Sequence, residues 1–195
     1  LSAVENENLL ALAEKETCKS AVKKLFPKYF ETIFSEKRVG GIELLQLNGT
    51  ESVIDLGCMW GALSIPVAKQ VKNVVAVDQT LETLKFASKR AKEQNLNNIV
   101  FINSNLRHFS VEKNTFDTAL VNGVMEWLPE TSEVIVDEYL EKSKRSPFGE
   151  NPRDIQLKFL KGIKQGLRKN GKIYLAIENR YDYKMFFGEE DPHSG

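Results

Sequence analysis

The sequence predicts an α/β fold, a doubly wound and mainly parallel sheet. Three observations carry this expectation. Five short apolar runs recur at 53–56, 74–77, 99–102, 116–121 and 172–177. Helical stripes separate most of them. The runs are nearly all apolar rather than alternating, the pattern of strands covered on both faces. In such a sheet a ligand sits beyond the carboxyl ends of the strands, at the switch point.

The elements follow in order. Leu9, Leu10, Ala13, Thr17, Ala21 and Leu25 keep helical spacing over about 3–25, and Pro27 is expected to end that helix. Tyr29, Phe30 and Phe34 lead into a second short helix before the Asn48-Gly49 turn. The first strand, 53–56, runs into glycines. A helix over 62–70 follows, with Leu63 and Val67 on one face and Pro66 in its first turns. The second strand closes on Asp78. Thr80 is expected to cap a helix whose apolar face is Leu81, Leu84, Ala87 and Ala91. Two more strands follow. Asn151-Pro152 opens a helix with the stripe Ile155, Phe159, Ile163 and Leu167, which Asn170-Gly171 is expected to close before the fifth strand.

Two regions are predicted, an N-terminal helical cap over 1–48 and a binding domain over 49–195. The stretch 125–150 is longer than an ordinary connection and reads as an inserted helix and loop over the site. The chain opens on Leu1 and only seventeen residues follow Glu178, so it reads as a piece of a longer protein whose fifth strand has an open edge.

Composition narrows the function. Lys+Arg and Asp+Glu stand at 27 each, so no basic excess points to nucleic acid, and none is expected as a partner. Cys18 and Cys58 are far apart and outside metal-ligand spacing, which predicts a reduced, cytoplasmic protein with no metal site. No apolar run has the length of a membrane span, and no membrane partner is expected.

The first chemical motif is Asp55-Leu56-Gly57-Cys58-Met59-Trp60-Gly61. Glycine permits positive φ and close approach of backbone N–H groups, and a helix N-terminus favours an anionic group such as a carboxylate. The dinucleotide fingerprint G-x-G-x-x-G is missing, which disfavours a nicotinamide dehydrogenase. The second motif is Val74-Val75-Ala76-Val77-Asp78-Gln79-Thr80. Asp78 stands about 20 residues after the glycine loop, the spacing of a carboxylate that accepts ribose hydroxyls. A solvated, helix-capping aspartate has the same spacing.

The pattern D-x-G-x-x-x-G resembles the first motif of class I, Rossmann-like methyltransferases that use S-adenosylmethionine (SAM). The family's middle glycine is replaced by Met59. Three further stretches extend the resemblance. Asn105 stands twelve residues before Asp117 of Phe116-Asp117, where the family often has an aspartate that accepts the adenine amino group. The strand end Asn122-Gly123-Val124-Met125-Glu126-Trp127 is similar to the family's fourth motif. Gly166-Leu167-Arg168-Lys169-Asn170-Gly171 is similar to the turn into its fifth strand. The resemblance covers roughly 53–178. It implies the Rossmann-like methyltransferase fold, here without its C-terminal strand hairpin. It implies SAM as cofactor, held by Asp55, Gly57, Cys58, Gly61, Asp78, Gln79, Asn105, Leu106 and Asn122.

The resemblance also implies methyl transfer to an acceptor, expected to be a small molecule or a carbohydrate. A hydroxyl acceptor benefits from a general base. Glu126 and Glu178, at strand ends, are the first candidates, followed by His108 and His193. The run 177–184 is rich in polar and aromatic groups that suit a sugar. With 191–195 it is similar to methyltransferases found with glycosyltransferase and surface-polysaccharide systems. The competing expectation is a SAM-binding module without catalysis, serving a larger protein. Met59, Asn105 and the short C-terminus motivate it.

Overall fold

The computed structural model describes residues 3–129 and 151–177. In chain order they form α1 (Ala3–Lys15), α2 (Cys18–Leu25), α3 (Pro27–Phe34), a 3₁₀ segment (Glu36–Leu45), β1 (Ser52–Leu56), α4 (Ser64–Ala68), β2 (Asn73–Asp78), α5 (Leu81–Glu93), β3 (Ile99–Asn103), β4 (Phe116–Asn122), α6 (Pro152–Gly166) and β5 (Leu167–Ala176). The strands make one sheet in the order β3-β2-β1-β4-β5. Every neighbouring pair is parallel. The chain therefore builds outward from β1 to β3, then returns to place β4 on the other side of β1. That reversal is the switch point, and the strand tips 56, 78 and 122 flank it.

Alternation along the strands sends side chains to both faces. Ile54, Leu56, Ala119 and Val121 join Ile155 and Ile163 of α6 in one buried cluster. Val53, Val74 and Leu120 join Leu63 and Val67 around α4, with Ile42 and Leu45 of the 3₁₀ segment, in another. Both faces of β1, β2 and β4 are thus covered, which explains the unbroken apolar character of these central strands.

The N-terminal helices pack on α5 through a third cluster of Leu9, Ala13, Cys18, Ala21, Val22 and Ile33 around Trp60 and Phe86. Trp60 is fully buried, with Phe26, Tyr29 and Phe86 ring centroids 5.8, 6.2 and 5.4 Å away. Its indole N–H donates to Asn6 Oδ1 at 3.1 Å. The residue after Met59 therefore fastens the helices to the glycine loop.

Four local expectations differ from the structure. The stripe over 3–25 forms two helices, because Thr17 is extended and its hydroxyl accepts from Ser20 N–H at 3.1 Å to cap α2. Glu93 completes that cap by accepting from Cys18 N–H at 3.0 Å. Pro27 begins α3 rather than merely ending a helix, since its missing N–H costs nothing in a first turn. Thr80 sits at the start of α5 without a side-chain cap bond, and its N–H donates to Asp78 Oδ1 at 2.9 Å. Asn170-Gly171 lies inside β5, where Asn170 has φ 65° and the register shifts between Phe116 and Thr118, a bulge rather than a helix stop. Among the described residues no helix is long and apolar enough to cross a membrane.

Candidate functional site

The turn leaving β1 is built by its backbone. Gly57 has φ 81°, Met59 φ 46° and Gly61 φ 74°, so three residues of five are left-handed. Two N–H groups of the turn, Gly57 and Cys58, donate to the Val77 carbonyl at 2.8 and 3.0 Å. A third, Met59 N–H, donates to Asp78 Oδ2 at 2.8 Å. The first strand's turn is thereby tied to the tip of the second strand. Thr83 Oγ1 donates to the Thr80 carbonyl at 2.7 Å and lies 3.3 Å from Asp78 Oδ1.

The other carboxylate of the motif is inside. Asp55 is 2 % exposed, and the Ser64 hydroxyl donates to its Oδ2. That bond holds the start of α4 against the end of β1. Cys58 lies between the two carboxylates. Burial first, then the charges of Asp55 and Asp78, push its thiol far above the usual cysteine range. It stays a neutral thiol, which removes it as a nucleophile.

A cleft of about 470 Å³ opens at this point. That is within the usual span of roughly 300–1,000 Å³ for small-ligand sites. Asp55, Gly57, Cys58, Asp78, Gln79, Asn105, Leu106 and Asn122 all border it, so eight of the nine residues singled out in the sequence come together. Gly61 does not border it. A Cβ there would lie 2.9 Å from Ile65 Cδ1, so its small size serves packing on α4. Gly57 is equally constrained, since a Cβ would lie 2.3 Å from Val124 Cγ2. Asn105 is first a turn former, its carbonyl oxygen accepting from Arg107 N–H at 2.9 Å.

The general-base candidates fare differently. Glu126 lies in the turn after β4 but is not among the residues that border the cleft. His108 is exposed on the loop after Asn105 and borders a second groove, against α6. Glu178 and His193, the run 178–184, the segment 191–195 and most of the insertion 125–150 lie outside the described residues. Among the described residues, the carboxylates bordering the cleft are Asp55 and Asp78.

The sequence reading missed one wall. Tyr29, Thr32 and Ile33 of α3 border the cleft; Val124 and Trp127, inside the stretch 122–127 singled out in the sequence, and Leu128 border it too. Trp127 is 46 % exposed, an aromatic face open at the rim. The aromatic spacing of Tyr29 was visible in the sequence, but no local rule places α3 beside a loop thirty residues later.

Comparison with known proteins fits this geometry. Residues 53–143 match a family model described as a methyltransferase domain. The 23S rRNA (uracil(1939)-C(5))-methyltransferase of Aliivibrio salmonicida is 40% identical over 62 residues, 32% of this chain and 14% of that protein. Its counterpart in Francisella tularensis subsp. novicida is 30% identical over 84 residues, 43% of this chain and 19% of that protein. This chain thus spans under a fifth of the length of these curated relatives. Phosphoethanolamine N-methyltransferase 1 of Haemonchus contortus, solved with phosphoethanolamine and S-adenosylhomocysteine, superposes at TM-score 0.57. It is 15% identical, with 93% of this chain and 37% of that one covered. A SAM-dependent methyltransferase from Aquifex aeolicus superposes at 0.50 with 20% identity, over 77% and 67% of the two chains.

The relatives overturn the exclusion of nucleic acid as a partner, because those named here methylate rRNA. The exclusion rested on total charge, and total charge hides segregation. Over residues 151–177 Arg153, Lys158, Lys161, Lys164, Arg168, Lys169 and Lys172 stand against Asp154 alone. Sheet order, the cleft at its switch point and the superpositions agree on a Rossmann-like methyltransferase fold, and within it residues 53–143 match a methyltransferase domain.

Proposed function

We propose that the cleft holds SAM and that the domain transfers its methyl group to an acceptor, with RNA as the acceptor class. The observation that carries the cofactor reading is the setting of Asp78. Its two oxygens are fixed by Met59 and Thr80 N–H groups, yet each keeps lone-pair capacity for the hydroxyls of a ribose. The surroundings suit the rest of the molecule. Gln79, Leu106 and Asn105 offer an adenine an apolar face and amide partners. Gly57 and Cys58, at the turn, and Asn122, at the β4 tip, border the room left for the amino-acid tail. Asp55 supports the loop through Ser64. Two carboxylates beside the cleft favour a cationic sulfonium over a neutral ligand.

SAM supplies an already activated methyl group, so the chain's main task is alignment. The described cleft residues do this by rigid means: a left-handed turn, a buried carboxylate at its root and a second carboxylate across it. We place α3, within a cap region over 1–48, as the cover that narrows the cleft through Tyr29, Thr32 and Ile33. RNA as acceptor is supported by the rRNA methyltransferase relatives.

Calorimetric titration with SAM, wild type against Asp78→Ala, tests the cofactor reading. At least tenfold weaker binding is expected, about 1.4 kcal/mol. Equal affinity would end it. Formation of S-adenosylhomocysteine is then followed with rRNA, and with sugars and small hydroxyl compounds as the comparison. Product with rRNA supports the acceptor. SAM binding without product on any acceptor would instead favour the non-catalytic module.

A further inference from the structure

We propose that the groove between the loop 106–111 and α6 binds single-stranded RNA. The proposal rests on the reading of RNA as acceptor and gives that acceptor a binding surface. The groove is distinct from the cofactor cleft and encloses about 750 Å³. Leu106 and Leu128 border both, so the two share a wall. A strand lying in one passes beside the other.

The lining has the chemistry that single strands need. Arg107, His108 and Phe109 come from the loop, and Lys158, Phe159 and Lys161 from α6. Lys158 and Lys161 are exposed and three residues apart, so they share one side of the helix, roughly 5–6 Å between Cβ atoms. Neither forms an ion pair with another described residue. Asp154 is the one acidic side chain bordering the groove among the described residues. Phe109 and Phe159 are half-buried against the core, rings held rigid with part of their surface in the groove. Cations that follow a phosphate backbone, interleaved with aromatic faces for the bases, form the general platform for single-stranded nucleic acid. The cationic run continues past the groove through Lys164 of α6 and Lys169 of β5, both exposed, while Arg168 between them is paired with Asp117.

Fluorescence anisotropy with a labelled single-stranded RNA of mixed sequence tests this. The charge reversals K158E/K161E and, separately, R107E are compared with K85E/K92E, which carries the same charge change as the double reversal on exposed positions of α5. The double reversal in the groove is expected to weaken RNA binding at least tenfold. Its plot of log affinity against log salt should lose about 1.4 units of slope, two phosphate contacts at ~0.7 each. The α5 control should change little, and circular dichroism checks that each variant is folded. Groove variants that bind RNA as wild type does, or a control that loses as much, would overturn the proposal. Absence of RNA binding by the wild type would overturn it too. SAM titration on the same preparations keeps the readings apart. Lost SAM binding in the wild type would sink the cofactor reading, and RNA bound but never methylated would sink RNA as acceptor. Neither result alters the meaning of the groove variants.

Discussion

Met59 N–H donates to Asp78 Oδ2 at 2.8 Å, while Met59 itself sits at φ 46°. The bond ties two strand tips together, and the backbone conformation that allows it is one a side chain resists. Glycine at this position removes that resistance. Met59→Gly is therefore expected to be at least as stable as wild type, with SAM affinity kept, because the donor is main chain. Met59→Val, β-branched in a left-handed position, is expected to lose about 1–2 kcal/mol. Thermal unfolding of the two variants gives the comparison. A valine variant as stable as the glycine variant would mean that the turn does not need its left-handed residue.

Arg90 is expected to act on the cleft from a distance. It is 4 % exposed, donates to the carbonyls of Trp60 and, at 3.5 Å, Ile33, and lies 4.4 Å from the Phe34 ring centroid. Burial pushes its guanidinium down to about 10. At neutral pH it remains a cation joining the glycine turn to α3. Arg90→Met keeps the volume but strands the two carbonyls, with an expected cost of about 2 kcal/mol. Because Ile33 borders the cleft, SAM affinity should fall as well. Urea unfolding and calorimetry read the two effects separately. Unchanged affinity in a folded variant would show that α3 does not shape the site.

The fold was legible because its cause is local and repeated. The apolar runs that became β1, β2 and β4 are buried from both sides, and the residues at or just past the strand ends, Asp55, Asp78, Asn105 and Asn122, fell into one cleft by the topology alone. What could not be read depends on contacts between distant segments. Trp60 draws α1–α3 onto the loop through a buried aromatic cluster, which no periodicity announces. Gly61, expected beside the ligand, does not border the cleft, and a Cβ there would meet Ile65, four positions on. Total charge failed for a related reason: a sum over the chain has no positions in it.

Asp117 opens β4 at the end of the sheet away from the cleft, and it makes a pH-dependent tie. Burial works to raise its pKa. The Ser52 N–H at 2.8 Å and the Arg168 guanidinium at 2.6 Å outweigh burial and hold the carboxyl below the usual aspartate range. A carboxyl whose folded pKa lies below its unfolded value, about 3.9, contributes its full stability above that value. The contribution disappears as pH falls through the folded pKa. Urea midpoints measured from pH 6 downward should drop below about pH 4, and Asp117→Asn should flatten that part of the curve. A variant with the same acid slope as wild type would assign the loss to other carboxylates.

Gly57 answers to two separate constraints, and a double substitution separates them. Its φ of 81° disfavours any side chain, and a Cβ would lie 2.3 Å from Val124 Cγ2. Gly57→Ala is therefore expected to destabilise by about 2–4 kcal/mol, backbone strain and overpacking together. Val124→Ala removes the methyl that collides. Added to Gly57→Ala it should recover the steric part, leaving about 1–2 kcal/mol of strain that no neighbour can relieve. SAM affinity separates the two parts again. Val124 borders the cleft, so relieving the clash returns the turn to its path, while the strained φ still biases it away. Partial rescue of both stability and binding is the expected result of the cycle. Simple additivity of the two losses would show that Val124 is not what Gly57 makes room for.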